Sequence, residues 1–209
     1  MKKSIALAFA SLALLASAAQ AQTRPSILDS YLAPNSATGN INTPGALFGS
    51  TRVALGSVFV GALTSLGVTP GVIFPTTIEG GVANFPIESG IIELATAKGE
   101  INHSGGLTLT AGTTTVRLTS FLIDTTGPAP VITGLVAAND AVVGRIALFN
   151  LIPEGLTLPL RAGAGALTGV KVELNETAAT ALNGVFGVTA FTAGFPIGVA
   201  EVNVFSAGG

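Results

Sequence analysis

The chain carries one histidine, in the stretch GEINHSGGLTL at 99–109, and it has no cysteine at all. Any Ser–His–acid mechanism would have to run through His103, because the base must lie within hydrogen-bond reach of what it activates. Ser104 is its neighbour, and neighbours on a strand point to opposite faces, so Ser104 is a poor nucleophile for that base. No Gly-x-Ser-x-Gly elbow and no Walker-type phosphate loop occurs. The 11 carboxylates, from Asp29 to Glu201, are scattered, without the Asp-x-Asp-x-Asp spacing that calcium needs. One His without a Cys is too small a ligand set for zinc. These residues predict a protein that is not an enzyme, unless folding assembles a carboxylate pair.

A structural role for His103 follows from its neighbours. On a strand over 98–103 it shares a face with Ile101, while Asn102 faces the other way. Ser104-Gly105-Gly106 then suits a bulge or a tight chain crossing, with the imidazole donating to a backbone carbonyl beside it.

The elements that must position this residue begin after an export signal. MKKSIALAFASLALLASAAQAQ has a basic start at Lys2 and Lys3. An apolar run follows from Ile5 to Ala18, then the small-x-small site Ala19-Gln20-Ala21. This predicts a bacterial signal peptide over 1–21, and an exported chain that is extracellular, at the cell surface or periplasmic. Export without cysteines means a fold held by its core alone. With 10 % charged residues and no Lys/Arg cluster, neither nucleic acid nor anionic lipid is an expected partner. No transmembrane span is expected after cleavage. One Tyr and no Trp argue against the aromatic girdles of an outer-membrane barrel.

Residues 22–51 include APNSATGNINTPGALFGS and read as a flexible N-terminal arm. From 52 to 209, short runs of Val, Ile, Thr and Phe alternate with Gly and Pro, as in an all-β domain. Strands are predicted near 52–60, 66–73, 82–93, 98–103, 106–111, 114–123, 131–138, 142–151, 156–160, 167–174 and 198–206. Ala111-Gly112 reads as a hairpin turn needing a positive φ at the glycine. In LNETAATALNGVFG, Asn175 is an N-cap and Asn183-Gly184 supplies a stop, which predicts a short helix near 176–183. The expected fold is a β-sandwich, immunoglobulin-like, with that one helix.

GEINHSGGLTL, preceded by FPIESGIIELATAKG, resembles the central segment of HtaA-type domains, secreted bacterial β domains first known for binding haem. TAATALNGVFGVTAFTAGFPIGVAEV is similar to that family's helix and last strand. The resemblance runs over roughly 82–206. It implies a haem site in which a Tyr from the N-terminal part ligates the iron and His103 supports it; Tyr31 is the tyrosine available. The family's further Tyr near the C-terminal helix stands here as Phe186 or Phe191, which cannot ligate iron.

Two functions are therefore expected. The first is a non-catalytic exported domain with a structural or interaction role, self-associating through its N-terminal arm; it requires no cofactor. The alternative is a haem- or small-ligand-binding module of the HtaA type, with Tyr31 and His103 as its site.

Overall fold

In the computed structural model, residues 40–42, 48–93, 95–160 and 167–205 are described; the expected signal peptide at 1–21, Tyr31 and most of the arm at 22–51 lie outside them. The chain runs β1 (Asn40–Asn42), β2 (Phe48–Leu55), α1 (Ser57–Ser65), β3 (Thr69–Ile73), β4 (Thr77–Glu79), β5 (Val82–Glu93) and β6 (Gly99–His103). It continues with β7 (Gly106–Ala111), β8 (Thr114–Asp124), β9 (Val131–Ala138), β10 (Ala141–Pro153), β11 (Leu167–Leu174), α2 (Glu176–Phe186) and β12 (Pro196–Phe205).

The all-β class and the C-terminal helix are as expected, but the two sheets of a sandwich are not. Strands β5, β2, β12, β11, β10, β9 and β8 are hydrogen-bonded in that order, and β6 pairs with both β5 and β8. That double pairing closes an eight-stranded antiparallel barrel. Period-2 alternation marks one buried face per strand; it does not say whether that face meets a second sheet or curls onto itself.

The inward faces are hydrocarbon: Val53 on β2, Phe85 and Ile87 on β5, Ile101 on β6, Leu148 on β10, Val172 and Leu174 on β11, and Val202 on β12 are all buried. Arg52, Glu88, Arg117, Arg145 and Lys171 are exposed on the outside. A transmembrane barrel has the reverse arrangement, with lipid-facing apolar residues around a polar lumen. Among the described residues no helix is long and apolar enough to cross a membrane.

Strand β8 explains how the site-bearing end is built. Residues Gly106–Ala111 pair with Thr114–Thr119, so β8 first partners β7; beyond the break, Leu122–Asp124 partner β6. Ser120, with φ of 52°, makes the transition, and the register with β9 shifts between Thr119 and Leu122. The buried set accordingly steps from Val116 and Leu118 to Phe121 and Ile123. The alternation that buries Val116 and Leu118 stops at that bulge. Strands β7 and β3 thereby extend the wall past the barrel rim.

Three local expectations are corrected. RVALGSVFV is not one strand: β2 ends at Leu55 and α1 begins at Ser57. Phe59, Ala62, Leu63 and Leu66 recur at helical spacing and turn inward, which outweighs the strand preference of Val58, Phe59 and Val60. Residues 156–160 form no strand. Helix α2 starts as expected, Asn175 Oδ1 accepting from Thr177 N at 3.0 Å, but runs on to Phe186, where Gly187 turns left-handed with φ of 66°. Asn183 lies inside the helix, and its amide clamps the Phe191 backbone in both directions, at 2.7 and 3.1 Å.

Candidate functional site

Both helices sit over one end of the barrel, and beneath them lies an apolar pocket of about 110 Å³. Phe59 from α1, Leu182 and Val185 from α2, and Val143 from β10 line its mouth, and Val143 is 60 % exposed. Deeper, Phe85 and Phe121 meet edge to face with centroids 5.3 Å apart. The pocket's buried polar side chains are Thr51 and His103, each 3 % exposed.

His103 is held by the chain crossing that follows it. Ser104 N donates to the Pro86 carbonyl at 3.1 Å, and Gly106 N donates to the buried Thr76 hydroxyl at 2.9 Å. Gly105 has φ of +80°, and a Cβ there would stand 2.7 Å from Thr76 N and 2.8 Å from the Ile73 carbonyl. The expected tight crossing is present at these glycines. The bulge lies elsewhere, in β5, where the register shifts between Ile87, opposite His103, and Ser89, opposite Asn102.

The carbonyls of Phe121 and Ile101 lie beside the imidazole, as expected, and the ring also has a side-chain partner. Its Nε2 shares a hydrogen bond of 2.6 Å with Thr51 Oγ1. Thr51 is opposite Phe85 and His103 is opposite Ile87, so the bond spans the intervening strand β5 inside the lumen. Nδ1 has no partner at hydrogen-bonding geometry. Burial pushes the His103 pKa down to about 4; the nearby carbonyls of Phe121 and Ile101 offset this only in part. His103 is therefore neutral at pH 7, unfit to carry charge or to act as an acid there.

Thr51 escaped the sequence reading, although a signal existed. In Thr51-Val53-Leu55 it occupies an inward position, and a hydroxyl on an otherwise hydrocarbon face needs a buried partner. Tyr31 lies outside the described residues. Among the described residues no group of three His, Cys, Asp or Glu could hold a metal ion.

No family model matches the sequence, and no curated protein matches it. Solved structures do. The C-terminal domain of HtaA from Corynebacterium glutamicum superposes with a TM-score of 0.60 at 14 % identity, covering 76 % of this chain and 97 % of that one. The N-terminal domain of the same protein gives a TM-score of 0.57 at 12 % identity over 77 % and 97 %. The chain has the HtaA-domain fold. A domain-swapped dimer of a histidine-to-alanine variant of that C-terminal domain also matches, with a TM-score of 0.54 at 15 % identity over 71 % and 90 %.

Haem, which the HtaA resemblance implies, fits this pocket in one respect and fails in two. The hydrocarbon walls suit a porphyrin face. Among the described residues no cation lines the pocket to meet propionates, and His103 Nε2 is already bonded to the Thr51 hydroxyl.

Proposed function

We propose that this chain is an exported, non-catalytic binding module of HtaA type, whose ligand, haem or another small apolar molecule, seats at the helix-capped end of the barrel. The observation that carries this reading is the pocket itself. A mouth of half-exposed apolar side chains leads to a hydrocarbon lumen containing one hydrogen-bonded polar pair. Sites of this composition take their affinity from apolar burial and their orientation from a few polar groups. The signal-like N-terminus supports export, and the lack of an acid–base set at the pocket supports binding without chemistry. Haem itself would engage the mouth and, through Tyr31, the N-terminal segment.

The test is a pair of titrations on the mature chain. Haemin is read by visible absorption beside Tyr31→Phe, and the neutral fluorophore N-phenyl-1-naphthylamine is read by emission. Saturable binding of either supports the module; a haemin band lost in Tyr31→Phe assigns the iron to Tyr31. Failure of both removes the reading.

Self-association is a second reading, favoured by the domain-swapped dimer seen for an HtaA variant. Strand β1 pairs through Asn40–Asn42 with the end of β5, at the edge of the sheet. An arm that adds such a strand to its own barrel could add it to a second copy. Concentration-dependent oligomers lost on deleting residues 22–47 would support it, and a strict monomer would remove it.

A further inference from the structure

We infer that the cavity at the end of the barrel opposite the two helices is a second ligand site. It binds a straight-chain fatty carboxylate of medium length, with the chain in the lumen and the carboxylate beside Lys98. This site is separate from the pocket under the helices, and neither depends on the other.

The cavity measures about 220 Å³. Buried Ile92, Ile101, Leu151, Val170 and Val202 wall it, and among the described residues no aromatic ring lines it. The helix-capped pocket differs in carrying Phe59, Phe85 and Phe121. Aliphatic walls give an aromatic guest no ring to stack on and suit a flexible alkyl chain. A dry apolar cavity of about 150 Å³ takes benzene, with its six carbons, so by proportion this one holds a chain of about nine. Thr51, Ile123 and Ile132 line both cavities and form the floor between them. Of the three, Thr51 alone is polar, and its hydroxyl is bonded to His103 Nε2.

The other polar side chains of the lining, Thr96, Lys98 and Thr125, lie in the connections beyond the strand ends. Thr96 Oγ1 donates to Glu93 Oε2 at 2.5 Å, and Thr125 Oγ1 donates to the Ala97 carbonyl at 2.7 Å. Lys98 is left. Among the described residues it is the one ionisable side chain lining the cavity, and its ammonium has no hydrogen-bond or ion-pair partner. Lys98 is exposed, so a carboxylate beside it keeps water on one side and meets a cation on the other. Its charge is then never buried unpaired. An amine would meet a like charge at the same place. Pro128 and Pro153 in the rim have no N–H to leave unpaired beside a hydrocarbon chain.

The experiment titrates the mature chain with straight-chain carboxylates from hexanoate to dodecanoate, with decanol and decylamine as controls. Binding is followed by calorimetry and by methyl NMR of the labelled isoleucines. Ile92 and Ile101 line this cavity, whereas Ile146 and Ile197 line the helix-capped pocket. Decanoate should bind saturably at one site per chain and move the Ile92 and Ile101 methyls. Affinity should rise about fourfold per added methylene and level off beyond about nine carbons. Lys98→Gln should weaken decanoate about threefold and leave decanol unchanged, Lys98→Glu should weaken it further, and Lys98→Arg should restore it. Decylamine should bind more weakly than decanoate. Three results would each overturn the inference: no decanoate binding, equal binding by the wild type and Lys98→Gln, or shifts at Ile146 and Ile197 in place of Ile92 and Ile101. The last would at the same time support the helix-capped pocket, and the first would leave that pocket to its own titrations.

Discussion

His103 and Thr51, 52 residues apart in the chain, share a 2.6 Å hydrogen bond across β5 inside a hydrocarbon barrel. The bond fixes the imidazole by one nitrogen and leaves the other unpaired.

Stability should depend on pH through His103. Its folded pKa of about 4 lies below the ordinary 6.5, so the unfolded chain binds more protons between those values. Stability then rises with pH across that window and is fully present above about 6.5. The depression corresponds to roughly 3 kcal/mol lost between pH 6.5 and 4. Urea unfolding of the wild type against His103→Gln isolates this slope from that of the carboxylates; the variant should lack it.

Thr51→Val should destabilise the barrel by about 1–3 kcal/mol, because it keeps the volume and removes the hydroxyl bonded to Nε2. Thr51→Ser restores the hydroxyl and should recover most of the loss, leaving a smaller packing cost. Chemical denaturation of the three proteins at pH 7 checks the order.

Gly105→Ala should cost more than Gly112→Ala. Both have positive φ, +80° and +58°, but a Cβ at 105 meets Thr76 and the Ile73 carbonyl, whereas 112 faces open space. Strain alone is worth about 1 kcal/mol at Gly112; the collision at Gly105 adds to it and shifts the crossing that aims His103. Thermal melts of both variants separate the two contributions.

Much of this was legible in the residues. Val131–Ala138 and Gly106–Ala111 end at polar or glycine turns, and Val170, Val172 and Leu174 alternate with Lys171 and Glu173, so these strands could be read directly. The Ser104-Gly105-Gly106 crossing was visible because glycine pairs seldom serve another purpose there. Closure of the barrel was not visible, since it depends on β6 finding two partners far apart in sequence. Helix α1 was masked by its Val and Phe content, although Phe59, Ala62, Leu63 and Leu66 already carried its spacing. The Thr51–His103 pair needed the register of three strands, which no local pattern contains.

Asn175→Ala should loosen the start of α2, removing the 3.0 Å bond to Thr177 N and the 2.8 Å bond to Asn150. The cap alone is worth about 1 kcal/mol. Because Ala178, Ala181, Leu182 and Val185 wall the pocket, hydrogen exchange at these amides should rise in the variant, and ligand affinity should fall with it.

The proposed ligand site is the helix-capped end of this barrel. Its most direct test is N-phenyl-1-naphthylamine binding to the wild type and to Ala181→Phe, which places a ring in the pocket wall. Saturable emission at one site per chain is expected in the wild type, with its loss in a variant whose far-UV spectrum is unchanged. Equal binding by both proteins, or none by either, would contradict it.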